Sequence, residues 1–149
     1  MPRTLLAITA IVLAGLLAPD AHAEVLITKA EAALPGSPQS SGNTRGLTRG
    51  PGIEQLSPSP DKSMASPLPL LIKFVPRNNV AIDPASVKLT YLKSKPIDLT
   101  ERIKKHVTED GIDMSQAEVP PGTHIIRLDI LDKQGRSGTA MIRLNVAAR

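Results

Sequence analysis

Cysteine is missing from the chain, tryptophan is missing too, and the aromatic rings come down to Phe74 and Tyr91. Without cysteine there is no disulfide framework, no thiolate metal site, no cysteine nucleophile and no acylated cysteine anchor. With two rings there is no aromatic platform for sugars or single-stranded bases, which needs several exposed rings. No block of like charge runs beyond a few residues, and the formal net charge is +4. Such a mixed, mildly basic surface favours solubility and a weak attraction to anionic surfaces rather than nucleic-acid binding. No Gly-x-Ser-x-Gly nucleophile elbow and no glycine-rich phosphate loop occurs. At 149 residues the length prior is one domain.

What is present begins with a leader. Met1-Pro2-Arg3 is a short basic start, Leu5 to Ala18 is uncharged and mostly apolar, Pro19-Asp20 breaks the run, and Ala21-His22-Ala23 is a small-x-small pattern. These three parts make a secretory signal peptide over residues 1–23, cleaved after Ala23. The apolar run is shorter than the ~20 residues of a membrane-spanning helix. Cleavage takes Arg3, Asp20 and His22 away and keeps the net charge at +4. The expected compartment is the periplasm, or the outside of the cell, and no transmembrane segment is expected after cleavage.

Residues 24–34 form a short island. Val25 to Thr28 favours strand and Ala30 to Leu34 favours helix, but the stretch is too short to fold alone. It either docks on the main domain or serves as a tether. Residues 35–52 read as a flexible linker, and the same texture runs on to 69. Over 35–69 there are 7 Pro, 7 Ser and 5 Gly, residue types that neither build nor fill a core. Ile53 and Leu56 suit a first edge strand that Pro58 ends.

Residues 53–149 have the texture of an all-β domain. Leu70 to Val75 is a strand stopped by Pro76. Ser86 to Leu92 alternates, with Val87, Leu89 and Tyr91 on one face and Lys88 and Thr90 on the other. Thr123 to Leu131 and Thr139 to Val146 repeat the pattern, with Ile126, Leu128 and Ile130 on one and Ile142, Leu144 and Val146 on the other. Period two over such lengths marks half-buried antiparallel strands. Gly135 can supply the positive φ of a turn, so the last two strands form a hairpin. With Ile72 and Phe74, the apolar faces make an aliphatic core. One stretch departs from this texture. Asp98-Leu99-Thr100-Glu101 fits a capping box, and Leu99, Ile103 and Val107 share a helix face, which predicts a helix over 99–108 stopped at Gly111.

Pro120-Pro121-Gly122-Thr123-His124, an alternating strand, Asp132-Lys133-Gln134-Gly135-Arg136 and a second alternating strand ending at Val146 resemble the final hairpin of bacterial immunoglobulin-like domains. The resemblance covers residues 120–147, and 53–119 by texture. It implies an immunoglobulin-like antiparallel β-sandwich with one short helix. His124 stands near the place of the corner tyrosine of such sandwiches, which implies a weaker corner. In size, leader and strand content the chain is also similar to the periplasmic copper-carrier sandwiches. Their mature chains begin with a histidine ligand, whereas this one would begin with Glu24.

The candidate chemistry is sparse. His106 is expected on the exposed helix face and His124 as a partly buried corner residue. Two histidines on different elements lack the local pairing of most metal sites. Met64 in the linker, Met114 in a loop and Met141 on an outward face are too dispersed for soft-metal chemistry. Glu109, Asp110 and Asp113 around Gly111 do not follow a calcium-loop spacing. Asp129 and Asp132 flank the last turn, where Asp132 bonds its own backbone. Lys93, Lys95, Arg102, Lys104 and Lys105, with Arg45 and Arg49 in the linker, form either a patch for an anionic partner or a solvated face. No catalytic, cofactor or metal residue is assigned. The expected function is an exported, non-catalytic interaction module whose partner is another envelope protein or an anionic surface. The rival is a copper-handling protein that would have to use His106, His124 and the methionines.

Overall fold

The structure, a computed structural model, describes residues 22–38 and 49–149. The leader's apolar run and the linker stretch that contains Arg45 lie outside the described residues. The described chain folds as an all-β sandwich of two sheets. One sheet has the order β1-β7-β4-β2, from Glu24–Val25, Gly111–Glu118, Leu68–Val75 and Gly52–Ser57. The other has the order β3-β9-β8-β5-β6, from Ser63–Ala65, Ser137–Ala147, Gly122–Asp132, Ile82–Tyr91 and Ile97–Asp98. The long strands pair antiparallel, while the short edge strands β1 and β3 pair parallel with β7 and β9.

Alternation drives this architecture. All eleven residues expected in the core are buried, from Ile72 and Phe74 to Leu144 and Val146. The last hairpin is the longest ladder, with an unbroken register from Gly122↔Val146 to Leu131↔Ser137. Its turn is closed by Gly135 at φ 78° and by the Asp132 carboxylate, which accepts the backbone N–H groups of Gln134 and Arg136 at 2.9 Å. The sheets close on each other along β2 and β9. The Gln55 amide exchanges two hydrogen bonds with the Arg143 backbone, at 2.8 and 3.1 Å. Gly50 and Gly138 lie against Ser137 and Pro51, where a Cβ would run into a backbone carbonyl.

Several expectations are corrected. The linker texture to 69 hides β3 and the start of β4, where Leu68 is fully buried, while the edge strand expected at Ile53 and Leu56 is present as β2. Gly111, expected as a helix stop, and Met114, expected in a loop, belong to strand β7, and Met114 is a core residue. The helix over 99–108 is one α-turn, α2 (Thr100–Ile103), followed by a 3₁₀ turn at Lys104–His106. Asp98 does not cap it through a box. Its carboxylate accepts the Thr100 N–H two residues on, and the helix N-cap is Leu99. Thr90, expected on the outer face, is covered where β6 pairs beside it at Asp98, and its Oγ1 has no hydrogen-bond partner.

The island at 24–34 docks. Thr28 caps the short helix α1 (Lys29–Ala32) in a reciprocal box with Glu31, at 3.2 and 2.9 Å. Leu26 and Ile27 enter the common core, at 0% and 1% exposure.

Candidate functional site

A groove between the edge of β7 and the α2 region holds residues 24–36, and every class of contact contributes to it. The main chain pairs first. β1 lies parallel to β7 with Glu24 opposite Ala117 and Val25 opposite Glu118. The N–H groups of Leu26 and Ile27 both donate to the Glu118 carbonyl, at 3.0 and 3.3 Å. Here the chain leaves the strand and turns Leu26 and Ile27 inward. Burying two such side chains contributes about 1.5–3 kcal/mol each.

Cations from the sandwich then grip the segment from outside. Arg102 forms a two-pronged pair with the Glu31 carboxylate, at 2.8 and 2.7 Å, and its Nη1 also donates to the Leu26 carbonyl at 2.8 Å. A planar guanidinium suits this double task, because its donors point in fixed directions. The pairing holds the Glu31 carboxyl down at about 2, against an ordinary 4.5, and raises Arg102. Glu24 is held between Lys105 and His106, whose Nε2 lies 2.9 Å from its Oε2. Hydrogen bonds from Lys105 and then His106 lower the Glu24 pKa. Lys93 donates its ammonium to the carbonyls of Ala32 and Leu34, at 2.8 and 2.9 Å, and the Ser94 N–H reaches the Pro35 carbonyl. Gly36 closes the segment with a bridge to Lys93.

Three of the five clustered cations at 93–105 therefore serve this segment. Lys104 pairs with its neighbour Glu101 and Lys95 is exposed. The cluster is neither a free patch for an anionic partner nor a merely solvated face. His106, expected on an exposed face, is 22% exposed and bonded to Glu24.

His124 behaves differently from the expectation of a weak corner. It is buried, donates from Nε2 to the Pro120 carbonyl at 2.8 Å, and accepts the Tyr91 hydroxyl at Nδ1, 2.7 Å away. It thus ties the start of β8 back to the preceding turn, four residues upstream, as a corner tyrosine does. Burial lowers its pKa, which suits the neutral ring this pair of bonds requires. Burial also pushes Tyr91 up to about 12, and Lys93 sits 5.0 Å above its ring. The Tyr91–His124 pair and the segment's clamp thus meet at Lys93.

The remaining candidates are scattered. Met64 lies on edge strand β3 and packs on the core, and Met141 faces outward on β9. Glu109 pairs with Lys133 at 2.7 Å, Asp110 sits in the turn before β7, and Asp113 is exposed on β7. Asp129 takes Arg127 and the Thr139 hydroxyl. Among the described residues no group of three or more His, Asp or Glu is arranged to hold a metal ion. Arg49 is exposed beside Gly50. A concavity of about 670 Å³ adjoins the docked segment, between Val25, Lys29, Pro67, Pro121 and Arg149.

No protein-family model matches this chain, and neither a curated protein nor a solved structure does. The fold defines its class, a two-sheet β-sandwich, and any functional reading rests on the groove.

Proposed function

We propose that the protein is an exported, non-catalytic interaction module built on an immunoglobulin-like sandwich. The strand order supports the immunoglobulin-like part. Such domains place strands A, B, E and D in one sheet and C, F and G in the other. Taking β2, β4 and β7 as A, B and E, and β5, β8 and β9 as C, F and G, reproduces both orders. The first strand is shared between the sheets, β2 on β4 and β3 on β9. β1 then fills the place of D. Export is supported by the leader pattern, whose cleavage point after Ala23 directly precedes β1 at Glu24.

The observation that carries the interaction reading is the groove around residues 24–36. Main-chain pairing, two sunken aliphatic side chains and charge anchors together are how sheet edges recognise extended peptides. The sandwich performs that recognition on its own chain. Engagement of its cations in this task favours a protein partner over an anionic surface. The test is photocrosslinking of the mature chain in its native envelope, with the crosslinker placed in turn at exposed positions on both sheets and beside the groove. One reproducible protein adduct from a contiguous face is expected. Absence of any adduct from every position rejects the reading.

A further inference from the structure

Resting on the interaction-module reading, we propose that the groove filled by residues 24–36 is itself the partner site. Its ligand is a segment of another protein that pairs as a strand and then turns into a short helix, carrying a carboxylate, an aliphatic pair two residues on, and a second carboxylate seven residues after the first. Residues 24–36 are the tethered occupant that such a segment displaces.

The chemistry of the ligand is read from the groove. Lys105 and His106 face one carboxylate, and Arg102 faces another with two parallel donors while also holding a backbone carbonyl. Between them the core takes two aliphatic side chains, now Leu26 and Ile27. The Glu118 carbonyl accepts two N–H groups from whatever backbone lies beside β7. If residues 24–36 leave with nothing in their place, apolar core and unpaired cations face water. Only a segment with the same spacing of acid and aliphatic groups offsets the loss.

The tether allows displacement without disturbing the body. Residues 37–49 join Gly36, at Lys93, to Gly50, at Ser137. They reach about 45 Å when extended. Lys93 follows the strand end opposite Ile126, and Ser137 pairs with Leu131, so the anchors differ by about 20 Å along β8. Thirteen residues are long enough to span that distance. A tether of this length also keeps the resident segment at an effective concentration in the millimolar range. A free ligand therefore binds weakly until the resident is loosened.

The test uses the full mature chain and a fluorescent synthetic peptide of residues 24–36 as the probe. Glu24→Gln with Glu31→Gln loosens the resident and leaves the cations of the groove intact. This variant is expected to bind the probe about ten-fold or more tighter than the parent, as loss of a tethered competitor requires. Adding Arg102→Ala should abolish the gain, and a scrambled peptide should show none. Protected amides in β8 and β9 verify that each variant is folded. Equal binding by parent and loosened variant, or a gain that survives Arg102→Ala, overturns the proposal. In the envelope, an adduct from a crosslinker at Lys104 that the probe peptide competes away supports it. Adducts confined to the far sheet face, near Leu56, overturn it while leaving the interaction module standing. Absence of adducts anywhere overturns both.

Discussion

The final hairpin and the N-terminal segment hold to the same sandwich by opposite means. β8 and β9 are joined by a continuous ladder of ten residue pairs, and their inward side chains are buried by simple alternation. Residues 24–36 have two residues of strand pairing, two buried side chains and a few charged anchors from residues 59–82 positions away. In the hairpin many weak contacts share the load. In the segment a handful of strong ones carry it. The first design is expected to give a cooperative core, and the second a part that opens locally while the core stays folded.

Core truncation is the harshest way to test this difference. Leu128→Ala, in the middle of β8, is expected to cost about 3 kcal/mol and to lower the stability of the whole sandwich. Leu26→Ala removes an equally buried side chain, but its effect should be confined. Hydrogen exchange should rise across residues 24–36, with β8 and β9 still protected. If Leu26→Ala instead lowers the protection of the hairpin as much as Leu128→Ala does, the two regions are one cooperative unit. Arg102→Ala comes next, at about 1–2 kcal/mol, because it leaves Glu31 unpaired and the Leu26 carbonyl without its donor. The same exchange experiment should show the segment freed and the hairpin unchanged.

The contrast also explains what could be read from the sequence. The hairpin and eleven core residues follow from period two, a local signal. Strand β7 escapes the same method because its alternation slips: Ile112 and Met114 point inward, then Ala117, with the register shift lying opposite Leu68 and Leu70. Gly111 looks like a helix stop, yet it is where the backbone passes so close to the Ile72 carbonyl that no Cβ fits. The pattern for a capping box fits both Asp98–Glu101 and Thr28–Glu31, and of these two the structure uses the second. The groove was not legible, since nothing local joins Glu31 to Arg102 or Glu24 to Lys105. The bonding of His124 could have been found, because its position at the corner calls for a side chain that reaches back to the turn.

Acid sharpens the comparison further. Glu31 has its folded-state pKa lowered to about 2 from 4.5, with the Arg102 hydrogen bonds the main cause of the lowering. A depressed carboxyl stabilises the docked state fully above 4.5 and loses that contribution as the pH falls from there towards 2. Glu24 is lowered as well, by Lys105 and then His106, and acts in the same direction. Residues 24–36 are therefore expected to detach progressively below pH 4.5, read by a fluorophore attached at exposed Lys29. The hairpin turn has an acid-sensitive carboxyl too. Burial opposes the charge on Asp132, but the bonds from Arg136 and Gln134 outweigh it and lower its pKa. Asp132→Asn should leave the acid release of the segment unchanged, whereas Glu31→Gln should remove most of it. A release that persists in Glu31→Gln would place the acid response elsewhere.

The smallest expected effect separates geometry from mere charge. Lys104 lies two residues from Arg102 and carries the same charge, but it pairs with Glu101 across 3.4 Å, where the two side chains are 73% and 83% exposed. An exposed pair of this kind contributes about 0.5 kcal/mol or less. Lys104→Ala should therefore leave both the thermal midpoint and the exchange of residues 24–36 within error of the parent. A general positive field would make the two substitutions alike, since each removes one charge from the same turn of chain. A directed clamp makes them differ, since only Arg102 has donors aimed at both a carboxylate and a backbone carbonyl of the docked segment. Comparable release in Lys104→Ala and Arg102→Ala would mean that the segment is held by attraction at a distance, and the selectivity inferred for the groove would lose its basis.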